Sequence, residues 1–357
     1  MGPEPLEGER GPRLGPPGQG GAGVHLAEGG AALPRTLRGG LAVGALPDEL
    51  DLLAVGEILV DLISVEPAGS LRQASEYRRR FGGAPANVAL NVAQLGGTSA
   101  VVGKVGDDAF GTFLLDTLRA HGVMTEGVVR DPAHGTSLVF VACTAGTPDF
   151  QAYRGADARL RPEEVREDLI ARARVVHTSA FALAEEPSRS AVLRAIELAK
   201  ERGRLVSLEP NYRPSIWPHR DEAHEVLGEV LRSVELVKPS LDDARALFGE
   251  RSPEGYVEEF ARRGPRLVVL TLGKEGCLVY DGREVARVPA FEVAILDATG
   301  AGDAFWAGFL LSWLGGEAPL EAARFGNAVA ALKVGGIAPL PPKEEVHRRL
   351  RMLRVYE

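Results

Sequence analysis

Apolar and polar positions along the chain follow two rhythms. Residues 50–64, LDLLAVGEILVDLIS, carry near-continuous apolar runs on either side of Gly56 and Glu57, the pattern of a strand buried on both faces. In PANVALNVAQLGG, 85–97, apolar residues recur at helical spacing and stop at a Gly pair, which predicts a helix. The stretch around 100–106 reads as a short buried strand and 108–122 as a helix. Segments 137–143 and 149–154 read as extended pieces joined by the turn sequence TAGTP. Beyond residue 160 the chain alternates regularly. Helices are predicted over 162–173, 187–202 and 221–232, followed in turn by strands at 174–178, 204–209 and 234–238. Helices at 240–249 and 253–263 precede a strand at 266–271 and a hairpin across 276–288. Two more are predicted around 318–334 and near 343–353.

Strand–helix alternation of this kind builds a mostly parallel sheet with helices on both faces, so the fold class predicted is a doubly wound α/β architecture. Two segments break the rhythm, about 61–82 and 127–156, each strand-like without an intervening helix. They are expected to form a small β-sheet lid over the carboxyl ends of the main strands, where ligands bind in such folds. Residues 1–48 are rich in Gly and Pro, too poor in apolar residues to build a core, and are expected to be a disordered tail preceding a domain at 49–357. The tail holds a formal G-x-G-x-x-G match at Gly18–Gly23. No predicted strand precedes it and no helix follows, which removes the dinucleotide reading.

Composition narrows the function classes. The 357 residues have a net charge of −8 with no basic block, which argues against a nucleic-acid partner. No window is long and apolar enough for a membrane span. Cys143 and Cys277 are the only cysteines, too few for a disulfide framework, and a reducing, cytoplasmic setting is expected.

The chemistry concentrates in DATGAGDAFWAGF, 297–309. Gly300 and Gly302 let successive backbone N–H groups converge with the N-terminal end of the following helix, forming an anion hole around Gly300, Ala301 and Gly302. Asp303 on the first helical turn is then placed to accept a proton from a hydroxyl, the pairing that phosphoryl transfer requires. The same residues also serve as a plain helix cap and turn, and spacing alone does not separate the two. A Walker A loop is absent, since Gly103-Lys104 is followed by Val105 and lacks the upstream glycine.

FGGAPANVALNVAQLGG at 81–97 and DATGAGDAFWAGF together resemble the N-terminal and C-terminal signatures of the ribokinase/PfkB family of carbohydrate kinases, in that family's order, over about residues 50–345. The resemblance implies a ribokinase-like fold with ATP-dependent γ-phosphoryl transfer to a sugar hydroxyl, assisted by Mg²⁺. It assigns the catalytic base to Asp303 and sugar contacts to Asp61, Gly82, Gly83 and Asn87. On the nucleotide side it points to Lys238, Ser240, Thr271, Gly273, Gly276 and Asn327. Asp297 would help hold a monovalent cation such as K⁺, and the lid strands would pair in a homodimer. The family often shows K-P-N-x-x-E; residues 238–243 read KPSLDD, with Ser240 and Asp243 in place of Asn and Glu and Asp243 keeping the charge for a water-mediated Mg²⁺ contact on a shorter side chain.

The acceptor is read from three stretches. GGAPAN resembles fructokinases, whereas YRGAD (153–157) and EPNYRPSIW (209–217) resemble both fructokinases and 2-keto-3-deoxygluconate kinases. Arg154 and Arg213 are candidates to pair a substrate carboxylate bidentately. The expectation is a fructokinase-like enzyme, with a 2-keto-3-deoxygluconate kinase as the alternative within the family and a non-catalytic sugar sensor as the alternative outside it. Trp306 is expected in the core.

Overall fold

The computed structural model describes residues 49–143, 149–217 and 219–350; the predicted tail, its glycine motif, the turn predicted at 144–148 and the last residues of the helix predicted near 343–353 lie outside them. The chain runs through β1 (Leu50–Val55), β2 (Leu59–Ser64), β3 (Tyr77–Gly82), α1 (Ala84–Gln94), β4 (Ser99–Gly106), α2 (Ala109–Ala120), β5 (Met124–Asp131), β6 (Leu138–Ala142) and β7 (Asp149–Tyr153). Alternation follows, broken only by the consecutive helices α6 and α7, with α3 (Glu167–Arg172), β8 (Ala173–Ser179), α4 (Ser188–Glu201), β9 (Leu205–Glu209), α5 (Arg220–Leu231), β10 (Leu236–Val237), α6 (Leu241–Phe248), α7 (Pro253–Ala261) and β11 (Leu267–Thr271). A hairpin of β12 (Cys277–Tyr280) and β13 (Val285–Val288) leads to α8 (Ala301–Leu314), α9 (Pro319–Val334) and α10 (Lys343–Leu350).

Nine strands form the main sheet in the order β13-β12-β11-β10-β9-β8-β1-β4-β5. Its pairs are parallel except for the antiparallel β11–β12–β13 edge. One face is buried by α1, α2, α8 and α9, the other by α3 to α7, so its strands are apolar in near-continuous runs. A second sheet, in the order β3-β2-β6-β7, is the predicted lid. No helix among the described residues is long and apolar enough to cross a membrane.

Four expectations are corrected. The run 50–64 is two strands in two different sheets, because the chain leaves the main sheet at Gly56–Ile58 to enter the lid. The second lid segment starts later than 127, since β5 continues to Asp131 as the main sheet's edge strand, with Gly103 opposite Val128 and Gly106 opposite Asp131. The predicted helix at 162–173 opens as a 3-10 turn, and only Glu167–Arg172 is α-helical. The strand expected at 234–238 is ladder-paired only at Leu236 and Val237, ahead of the non-donating Pro239.

Candidate active site

The opening turn of α8 is built by Gly300, whose φ of 72° places it in the left-handed region at the N-cap. No side chain caps this helix, so the amides of Gly302 and Asp303 remain open among the described residues. Behind the turn α8 is buried almost throughout. Trp306 is fully enclosed, stacks on Phe309 at 4.8 Å and donates its indole N–H to Ser207 Oγ at 3.0 Å. The turn thus rides on a rigid apolar element, and Trp306 is core, as expected.

Asp303 faces the lid. Its Oδ2 accepts a hydrogen bond from Asn87 Nδ2 at 2.8 Å, which joins the two signature stretches 216 positions apart. Burial raises the Asp303 carboxyl above its ordinary value, opposed by Lys238, the Asn87 bond, Lys333 and Arg213. Asp61 lies across from it; burial, reinforced by the Asp303 charge, pushes Asp61 up to about 7. A Cβ on Gly82 would fall 2.4 Å from Asp61 Oδ2, so glycine there leaves the carboxylate its room. The structure therefore assembles Asp61, Gly82, Gly83, Asn87 and the Gly300–Asp303 turn at one place.

Directly beneath Gly302 lies a pair that the sequence reading placed only in part. Lys238 Nζ is 2.5 Å from Glu209 Oε1, with both residues buried, and is 3.0 Å from where a Gly302 Cβ would stand. Burial pushes Glu209 up to about 7 against the pull of Lys238. Its second oxygen has no hydrogen-bond partner among the described residues.

Glu57 is a further residue that the sequence did not assign. It sits where the chain crosses from β1 to β2, accepts from Ser179 Oγ at 2.7 Å and from the Ala84 amide at 3.2 Å, and so fastens the lid crossover to the start of α1. Burial pushes it up to about 8 from an ordinary 4.5. The folded protein therefore keeps this proton through a range where the unfolded chain releases it. The resulting stability is fully present below the ordinary value and is lost as the pH rises through about 8. Glu57→Gln removes the titration, so wild-type melting temperature should fall from pH 5 to pH 9 relative to the variant; parallel curves would contradict the assignment.

Several candidates turn out to be engaged within the protein. Arg154 is nearly enclosed, bonded to Asp157 through Nη2 at 2.6 Å and Nε at 3.1 Å, and to Phe181 O through Nη1 at 3.0 Å. Those bonds make it a brace joining the end of β7 to Asp157 and Phe181. Arg213 is half-exposed and bonded to Asp243 Oδ1 at 3.1 Å. Asp243 also accepts from the Tyr212 amide at 2.9 Å, the Ser240 amide at 3.1 Å and Ser240 Oγ at 2.7 Å. All four of its acceptor positions are occupied, with Ser240 and Asp243 forming the capping box of α6. A carboxylate so saturated does not fit as a direct Mg²⁺ ligand. No group of three or more His, Cys, Asp or Glu side chains able to hold a metal is found among the described residues. Mg²⁺ at this site would depend chiefly on nucleotide phosphates and water.

Of the other residues predicted on the nucleotide side, several lie close together. Ser240 and Thr271 form a parallel bridge, and Gly273 and Gly276 shape the turn from β11 into β12. Asn327 is buried and donates to Val288 O and Pro289 O at 3.3 and 2.9 Å. It braces the end of the hairpin through both amide hydrogens. Asp297 accepts from the Thr299 amide at 2.9 Å; burial raises it, and the Thr299 bonds, Arg80 and Lys333 outweigh that and lower it.

The model of the pfkB family carbohydrate kinases matches residues 49–343. The chain belongs to this family. It is 40% identical over 309 residues to fructokinase-1 of Oryza sativa, covering 83% of this chain and 96% of that protein. It is 38% identical over 294 residues to an ATP-dependent 6-phosphofructokinase of Thermoanaerobacterium thermosaccharolyticum, covering 82% of this chain and 91% of that one. The solved fructokinase of Halothermothrix orenii superposes with a TM-score of 0.71 at 41% identity, covering 81% of this chain and 99% of its own. The protein is thus a carbohydrate kinase, a phosphotransferase acting on sugars, with the ribokinase fold that its first and last signatures led us to expect.

Proposed function

We propose that the protein transfers the γ-phosphoryl group of ATP to a hydroxyl of fructose. The observation that carries the reading is Asp303, a carboxylate held by Asn87 at 2.8 Å beside the open amides of a left-handed glycine turn. Asp61 accepts hydroxyls of the sugar, and Gly82 and Gly83 let the ring lie against the backbone. Asp303 takes the proton of the attacking hydroxyl as the new oxygen–phosphorus bond forms. The bond from the γ-phosphorus to its bridging oxygen breaks, and its electron pair leaves with ADP. The open Gly302 and Asp303 amides and the buried Lys238 face the charge of the group in transit, while the Ala301 amide is donated to Ala298 O. Mg²⁺, held on the phosphates, would supply further charge neutralisation.

Fructose is favoured by the fructokinases among the relatives and by Arg154, whose engagement with Asp157 withdraws the guanidinium expected to bind a sugar acid. A second acceptor, fructose 6-phosphate, is suggested by the 6-phosphofructokinase at 38% identity. The test is ADP release measured across fructose, fructose 6-phosphate, 2-keto-3-deoxygluconate and ribose. Fructose should give the highest kcat/KM. A preference for 2-keto-3-deoxygluconate would overturn the acceptor, and no ADP release with any sugar would overturn the reading.

A further inference from the structure

Positive charge around the glycine turn is unevenly used. Lys238 is in contact with Glu209, and Arg213 with Asp243. Two other cations point at the turn: Lys333, which has no such contact among the described residues, and Arg80, whose ion pair with Asp297 is long at 3.8 Å. Lys333, half-buried in the last turn of α9, places its Cε 3.6 Å from the Gly300 Cβ position. Its charge is felt by both Asp297 and Asp303, yet it makes no hydrogen bond or ion pair among the described residues.

Arg80 comes from the lid. It stands directly opposite Asp61 in the β2–β3 ladder, so the two side chains share the lid's inner face, while Arg79 turns outward over the Phe113 ring at 3.9 Å. The Arg80 guanidinium is half-exposed and lies 3.8 Å from Asp297 Oδ2, outside hydrogen-bond reach, at the entrance to the turn.

We infer that Lys333 and Arg80 are the side-chain half of the anion hole: one cation fixed on the body and one carried by the lid, both contacting oxygens of the phosphoryl group in transit. The inference rests on the kinase reading above and adds two residues that the sequence signatures do not contain. A half-buried ammonium with no contact partner is costly unless something anionic joins it. The turn it faces is built from amides and a helix N-terminus, which favour the same charge. Arg80 supplies the planar fork suited to phosphate oxygens. Because it rides on the strand paired with Asp61, it would engage as the lid settles on the sugar and so couple acceptor binding to charge neutralisation.

The test uses Lys333→Met and Arg80→Met, with Lys333→Arg and Arg80→Lys as conservative partners. Each is assayed for kcat and both KM values, and by calorimetry for affinity to ADP alone and to ADP with fluoroaluminate, which mimics the planar phosphoryl. Loss of one donor to developing charge typically costs about 10²-fold in kcat, and a drop of that order is expected for each Met variant with little change in sugar KM. Affinity for ADP with fluoroaluminate should fall in parallel, affinity for ADP alone should hold, and the conservative variants should recover part of both. Equal losses for ADP and for ADP with fluoroaluminate would overturn the inference. So would unchanged kcat, or an Arg80 effect confined to KM for fructose 6-phosphate, which would place it on the acceptor. If the kinase reading itself were wrong, the wild type would show neither turnover nor tightening by fluoroaluminate, an outcome distinct from all of these.

Discussion

Asp303→Asn is expected to reduce kcat by about 10³-fold, within the usual span for loss of a general base, while the dissociation constant for ATP stays near wild type. The amide keeps an oxygen for the Asn87 donor, so the bond at 2.8 Å and the glycine turn have no reason to move. What it loses is basicity toward the sugar hydroxyl. The pH profile gives the same argument a sign. Burial raises Asp303, and the neighbouring Asp61 stands at about 7. The base must be ionised to act, so activity should decline toward acid pH, with an acid limb raised above that of an ordinary carboxylate and apparent values belonging to the pair of acids. Asn87→Ala removes a bond that favours the ionised form and should move this acid limb upward. Undiminished kcat in Asp303→Asn would remove the residue from the chemistry.

The parts of this site that were legible in the sequence are those made by local geometry. DATGAGD announces itself because a left-handed turn, an uncapped helix start and a carboxylate must be consecutive, and the buried run behind them has helical length. The lid segments were legible as interruptions of a strand–helix rhythm. Their boundaries were not, because β2 and β5 look alike as apolar runs and only pairing decides which sheet each joins. Long-range charge pairing left no such trace. Lys333 looks like an ordinary cation at a helix C-terminus, and Arg80 like one of three exposed arginines in YRRRF; neither spacing points to the turn both approach. Glu57 had a signal in retrospect, a carboxylate inside an otherwise apolar crossover. Arg154, Asn327 and Asp243 show the opposite case. Each is a residue type able to bind ligand, and each is held by protein groups that sequence alone does not place beside it.

Gly83→Ala should damage both stability and activity without adding a polar group. Gly83 has φ of 100° and stands at the N-cap of α1, where a Cβ would lie 2.3 Å from Glu57 O. A clash with main chain cannot be relieved by a rotamer, so either the 57–58 crossover or the start of α1 must shift. The first carries β2 and hence Asp61; the second carries Asn87, whose amide bonds back to Gly83 O at 2.8 Å and whose side chain holds Asp303. The first movement displaces Asp61, and the second withdraws the Asn87 amide from Asp303. Gly96→Ala, at the far end of the same helix, provides the control: φ is 94° there, but nothing lies within 4 Å of the added Cβ. Backbone strain alone costs about 1–2 kcal/mol, and overpacking adds about 1–3 kcal/mol. Gly83→Ala should therefore lower the melting temperature further than Gly96→Ala and cut kcat/KM by at least about tenfold, while Gly96→Ala leaves kcat/KM near wild type. Equal effects of the two substitutions on both measures would mean that Gly83 serves the turn and not the site.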